Sequence, residues 1–210
     1  MAQKGKTKQE ILDAALELFS SQGYEATSIS QLAEAVGIRK ASLYSHFESK
    51  QAVLDALVDE VLKQYEQRSI FAKANWDDPD FTRDKESMTP ETALKLILGQ
   101  IRYILHDPQI SKARKILTIE QFQNPQIAQL QTKQNYTDVI GYFTGLVRFL
   151  IRQGRLTRHD PEIMAAQLCF PISVWIGLCD REPERESEVF GLIERHVRQF
   201  FEVYGTEEQK

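Results

Sequence analysis

The chain has 210 residues, with 30 acidic against 26 basic side chains, a formal net charge of −4 and 42% hydrophobic residues. That balance is ordinary for a globular protein with one or two cores. It excludes a whole-protein attraction to nucleic acid, so any affinity for phosphate has to come from a local basic face.

Helical punctuation dominates and no alternating strand pattern of useful length occurs, which predicts an all-α fold. A first helix over residues 7–21 carries Ile11, Ala15, Leu18 and Phe19 as its apolar stripe, with Gly23 as a stop signal. Lys4, Lys6 and Lys8 read as a solvated tail. A second helix follows Thr27 and Ser28, and the spacing of Ser28 to Gln31 is that of a capping box. A third covers residues 40–46. Ser49 caps a longer fourth helix with the stripe Val53, Leu54, Leu57, Val58, Val61, Leu62 and Tyr65. Residues 73–89 are polar and proline-containing, which predicts a loop.

Three later helix starts share a capping residue followed by proline: Thr89-Pro90, Asn124-Pro125 and Asp160-Pro161. Asp107-Pro108 marks a further start for a helix through residue 122. The helix after Asn124 is long, with Tyr136, Ile140, Phe143, Val147, Leu150 and Ile151 on one face and Gly154 at its end. The apolar run 163–179 is interrupted by Gln167, Pro171 and Ser173 and is shorter than the ~20 residues of a membrane span. Its two cysteines, Cys169 and Cys179, would stand about 15 Å apart along one helix, too far for a disulfide, and are read as buried thiols in a reducing compartment. A last helix over residues 184–204 has the stripe Val189, Leu192, Ile193, Val197 and Phe200. The polar start, MAQKGKTKQE, has no signal-peptide character, so a cytoplasmic location is expected, with no membrane partner.

Residues 29–50, ISQLAEAVGIRKASLYSHFESK, carry the chemistry. Leu32, Val36, Ile38 and Leu43 supply contacts between two short helices, Ala33 lets them approach, and Gly37 suits a left-handed turn. Arg39, Lys40 and Lys50 stand where helices begin. A cation at a helix N-terminus is unfavourable by a few tenths of a kcal/mol, and a polyanion docked across those ends reverses the sign. This is the pattern of a helix-turn-helix that reads nucleic acid, with the third helix in the major groove.

The spacing of Ala14, Ala15, Leu18, Phe19, Gly23, Tyr24, Thr27, Ile29, Ala33, Gly37, Ile38, Leu43, Tyr44, Phe47, Ser49 and Lys50 resembles the DNA-binding domain of the TetR family of bacterial transcriptional regulators. The resemblance covers residues 7–57; beyond it the chain matches only in length and helical character. It implies a three-helix DNA-binding domain over 1–48, linked by the fourth helix to a C-terminal helical ligand-binding and dimerisation domain over 49–205, with a tail at 206–210. It also implies that Lys40, Ala41, Ser42 and Ser45 face the groove, and that Thr27, Tyr44, His46 and Lys50 clamp phosphates. Ser28 and Arg39 complete the candidate DNA-binding set. Arg39 departs from the small capping residue common in the family; it weakens the cap and adds a donor for phosphate or guanine.

The resemblance further implies a homodimer through the last two helices and a pocket whose occupation releases double-stranded DNA. Candidate lining residues are Phe122, Tyr136, Phe143, Phe170 and Trp175, which predict a small apolar or aromatic effector. The expected function is a repressor on a pseudo-palindromic operator. The alternative is a DNA-binding dimer without small-molecule control, whose C-terminal domain binds another protein. No enzyme, metal or cofactor is expected: His106, His159 and His196 lie in different segments, and HExxH, phosphate-loop and GxSxG patterns do not occur.

Overall fold

The computed structural model describes residues 2–83, 85 and 88–206, with side chains from residue 7 onward. The described helices are α1 (Ala2–Gln22), α2 (Ile29–Val36), α3 (Lys40–Tyr44), α4 (Lys50–Arg68), α5 (Pro79–Arg83), α6 (Pro90–His106), α7 (Pro108–Glu120), α8 (Pro125–Thr132), α9 (Asp138–Arg152), α10 (Pro161–Arg181) and α11 (Glu186–Tyr204). Among the described residues the strand content is one isolated bridge between Leu156 and Gly205. The fold is all-α, as the periodicity predicts.

Contacts divide the chain into two units: residues up to 69 with 108–131, and residues 70–107 with 132 onward. The boundary expected at residue 49 thus falls inside the first unit. The reason is the core. Val53, Leu54, Leu57 and Val58 of α4 are buried with Ile11, Ala15 and Phe19 of α1, Leu32 of α2, and Leu43. Ile116, Leu117, Ile127 and Leu130, from α7 and α8, close the same cluster. A Lys112–Glu17 ion pair ties α7 to α1 at the surface.

Local chemistry sets the ends of α2 as expected. Ser28 Oγ accepts from Gln31 N and Ser28 N donates to Gln31 Oε1, closing the capping box. Gly37 ends the helix in the left-handed region, with φ of 72°, while Ile38 N donates back to Ala33 O at 2.9 Å.

Three expectations are corrected. Helix α1 begins at Ala2, so the stretch holding Lys4, Lys6 and Lys8 is helical rather than a tail. The side chains of Lys4 and Lys6 lie outside the described residues, and Lys8 Nζ stands 5.3 Å over the Phe47 ring. Residues 73–89 contain α5, started by an Asp78 carboxylate that accepts from Asp80 N at 2.9 Å. The long helix after Asn124 is not regular: residues 133–137 form one π-helical turn between α8 and α9. That wide turn shifts the register, so Tyr136 leaves the face shared by Phe143 and Val147 and is 55% exposed.

The second unit is built from α6, α9, α10 and α11. Phe143, Val147 and Leu150 of α9 pack with Met164, Leu168 and Ile172 of α10 and Val189, Ile193 and Val197 of α11. With 21 residues, α10 is long and apolar enough to cross a membrane by length and composition. It is instead packed here along one face, with both cysteines buried.

Replacing Gly37 by alanine forces a Cβ into the left-handed region, and a loss of about 1–2 kcal/mol in unfolding free energy is expected by denaturant titration. Burial pushes the Cys169 thiol up to about 11. Below that pH the folded protein holds the neutral thiol, so native alkylation at pH 8–9 should be far slower than in denaturant, where the free thiol ionises. Equal rates in the two states would contradict the burial.

Candidate nucleic-acid interface

Helix α3 has five residues, too few to be stable alone, and it is held by what it buries. Leu43 is fully buried and Phe47, just beyond its end, is 5% exposed. Burying these two turns Arg39, Lys40, Ala41, Ser42, Tyr44 and Ser45 outward, and all six are exposed. Tyr44 keeps 46% of its surface in solvent. Ser45 Oγ donates to Ser42 O at 2.7 Å, and His46 is half-buried. Arg39 occupies the cap position without a side-chain cap bond, as its chemistry predicts. The face therefore combines two cations, hydroxyls and small side chains, the donor set that phosphate oxygens and base edges accept.

Two members of the predicted set sit differently from expectation. Thr27 is only 1% exposed. Its Oγ1 donates to Gly23 O at 2.8 Å and accepts from Gln22 Nε2 at 3.1 Å. The hydroxyl thus ties the end of α1 to the start of α2, and its expected phosphate contact is blocked by burial in this structure. Lys50 is half-buried. Its Nζ donates to Tyr24 O at 2.9 Å and Glu25 O at 3.3 Å, and lies 4.2 Å from the centre of the Tyr24 ring. Two carbonyls and a π face offset the unfavourable placement of this ammonium at the start of α4. Tyr24 is locked in turn: its hydroxyl donates to Gln51 Oε1 at 3.0 Å, and burial, reinforced by Glu25, Asp55 and Glu120, raises its pKa.

Of the five residues expected to line a pocket, Phe143, Phe170 and Trp175 share one apolar core, Tyr136 stacks at its edge, and Phe122 stands apart. Phe122 belongs to the first unit, in the turn after α7, and is 84% exposed rather than lining a cavity, because no other element covers it among the described residues. In the second unit, exposed Tyr136 stacks on Phe170 with ring centres 5.7 Å apart. Phe143 is buried in the core against which Phe170 and Trp175 also pack, and its ring neighbours are Phe71 and Tyr142. Trp175 packs edge-on to His196 at 5.4 Å.

Residues 11–57 match the family model described as bacterial regulatory proteins, tetR family. Residues 92–206, more than half of the chain, match the AefR-like transcriptional repressor C-terminal domain. The chain belongs to the TetR family of transcriptional regulators.

Among relatives of this TetR-family chain is IcaR, a negative regulator of the biofilm operon icaADBC in Staphylococcus aureus. It is 45% identical over 51 residues, which span 24% of this chain and 27% of IcaR. The chain therefore matches only about a quarter of the length of that relative. SrpR of Pseudomonas putida is 25% identical over 155 residues, 74% of this chain and 66% of SrpR. The fold is shared with SmeT, the repressor of the Stenotrophomonas maltophilia multidrug efflux pump SmeDEF, with a TM-score of 0.62, 19% identity, and coverage of 97% of this chain and 92% of that one. A SmeT–triclosan complex aligns with a TM-score of 0.63 at 17% identity, covering 98% and 94% of the two chains.

Sequence reasoning missed the aromatic set that the second unit does assemble: Phe71, Trp76, Phe81, Tyr142 and Phe149. The available signal was three aromatics, Phe71, Trp76 and Phe81, in and beside a stretch otherwise polar enough to read as loop.

Lys50→Met keeps the aliphatic stem and removes the ammonium. The DNA-free protein is expected to lose about 1–2 kcal/mol of stability, because the Tyr24–Glu25 carbonyls lose their donor. An unchanged melting temperature together with weakened DNA binding would assign the lysine to phosphate instead.

Proposed function

We propose that the protein is a cytoplasmic transcriptional repressor that binds a pseudo-palindromic operator as a homodimer and is released by a small apolar or aromatic ligand. The observation that carries the DNA-binding reading is the outward face of α3. Lys40, Ala41, Ser42 and Ser45 stand exposed on a helix whose opposite side is fastened by Leu43 and Phe47. Residues held that way present a preformed surface to the major groove, with Arg39, Tyr44, His46 and the Ser28 hydroxyl at its margins as phosphate donors.

Dimerisation is supported by α10. Ile163, Phe170 and Val174 recur at helical spacing with Gln167, and Ile163 and Val174 are 56% and 67% exposed. An apolar stripe on a helix that already buries its other face suits a second copy of the same chain. Two α3 helices would then address half-sites about 34 Å apart, one turn of the duplex. Repression accords with the named roles of IcaR and SmeT. Control by an aromatic ligand accords with the SmeT–triclosan complex and with the aromatic interior of the second unit. Release requires that ligand bind the DNA-incompetent state better than the competent one.

Selection of bound duplexes from random DNA at fixed salt tests the reading. A two-fold symmetric site should emerge, and Lys40→Ala should relax preference at its contacted base by about 1–3 kcal/mol. Recovery of no symmetric site would sink it. A symmetric site that no apolar or aromatic compound weakens would instead assign the second unit to a protein partner.

A further inference from the structure

Trp76 stands in a segment that the sequence reads as a polar loop, yet its indole lies in a slot on α9. A Cβ built on Gly145 would run into Cδ1, Nε1 and Cγ of Trp76, so the ring rests directly on the helix backbone. Tyr142 and Phe149 lie one turn before and one turn after Gly145 on the same face. Their ring centres are 5.3 Å and 6.1 Å from that of Trp76. Phe81 closes the slot edge-on at 5.2 Å.

Two features mark the indole as an imperfect occupant. Its Nε1 is buried without a hydrogen-bond partner, although a buried indole N–H normally finds an acceptor. The residue as a whole is only half-buried between exposed Asn75 and exposed Asp77. The adjoining turn is held by bonds among its own residues, Asp77 N to Asn75 Oδ1 and Asp78 N to Asn75 O.

We propose that the slot over Gly145 is a binding site for a flat, uncharged aromatic molecule of about indole size, and that Trp76 is its internal occupant, displaced when the ligand enters. The exchange conserves aromatic contact with Tyr142, Phe149 and Phe81 and returns the Trp76 N–H to water, where it is hydrogen-bonded. Lys85 places a charge near the slot: its Nζ stands 3.7 Å over the Phe81 ring and 5.9 Å from the centre of the Trp76 ring and donates to Phe81 O. An ammonium over π faces favours aromatic, electron-rich ligands. The regulatory meaning of the slot rests on the effector reading above; its occupancy does not.

Fluorine NMR of protein labelled with 5-fluorotryptophan resolves Trp76 from Trp175, the assignment coming from Trp76→Phe. On titration with indole the Trp76 signal should move saturably to a solvent-exposed position. Trp76→Ala should bind indole more than about tenfold tighter than the wild type by calorimetry, because the internal competitor is gone. Gly145→Ala should show the displaced Trp76 signal without indole. A Trp76 signal that stays in place at saturating indole, or equal dissociation constants for Trp76→Ala and wild type, overturns the proposal. If Gly145→Ala does not fold, the wild-type indole titration and the Trp76→Ala calorimetry decide. Operator binding on the same samples separates the two readings: a moving Trp76 signal without DNA release supports the slot and refutes the inducer role.

Discussion

A helix of five residues has no stability of its own in water, and α3 persists because Leu43 and Phe47 are buried in a core that α1, α2, α4, α7 and α8 complete. The face that would touch DNA is therefore a consequence of packing on the other side. Gly37 sets the entry of the chain into α3, and the buried pair sets its rotation. A recognition surface made this way is stiff without spending any of its exposed residues on stability, which leaves those positions free to vary with the sequence to be read.

The same economy explains the cations at helix starts. Lys50 is tied by two carbonyls and the Tyr24 ring, so its charge is integrated into the turn between α1 and α2. Thr27 is committed to the same turn from inside. The side chains of Arg39 and Lys40 make no hydrogen bond or ion pair among the described residues, and they retain the full electrostatic incentive for a polyanion. Two positive side chains that look alike in sequence, Lys40 and Lys50, thus differ in what they have left to offer.

The second unit solves another problem, a surplus of aromatic surface. Its long helices are conventional at their buried faces, where Val147, Met164, Ile193 and Val197 interlock. The irregular features are the π turn before α9 and the contact of Trp76 on Gly145. Both escape a reading based on regular periodicity. The π turn moves Tyr136 off the stripe that an unbroken helix would give it. The Trp76 contact joins residues about seventy positions apart through a glycine whose only sequence signature is a weak helix propensity.

Much of the first unit was legible in the sequence because its determinants are local. The Ser28–Gln31 capping box, the left-handed Gly37, the proline-led helix starts and the periodic stripes all act within one or two turns of chain. The helix-turn-helix follows from them, and the resemblance to the TetR family implies its outward residues. What only the tertiary structure decided depends on distant encounters: the completion of the first core by α7 and α8, the burial of Thr27, the engagement of Lys50, the exposure of Phe122, and the indole seated on Gly145. Local hydrogen-bond and propensity terms are written in neighbouring residues. Which apolar surface or carbonyl a side chain finally meets is set by global packing, and no spacing along the chain records it.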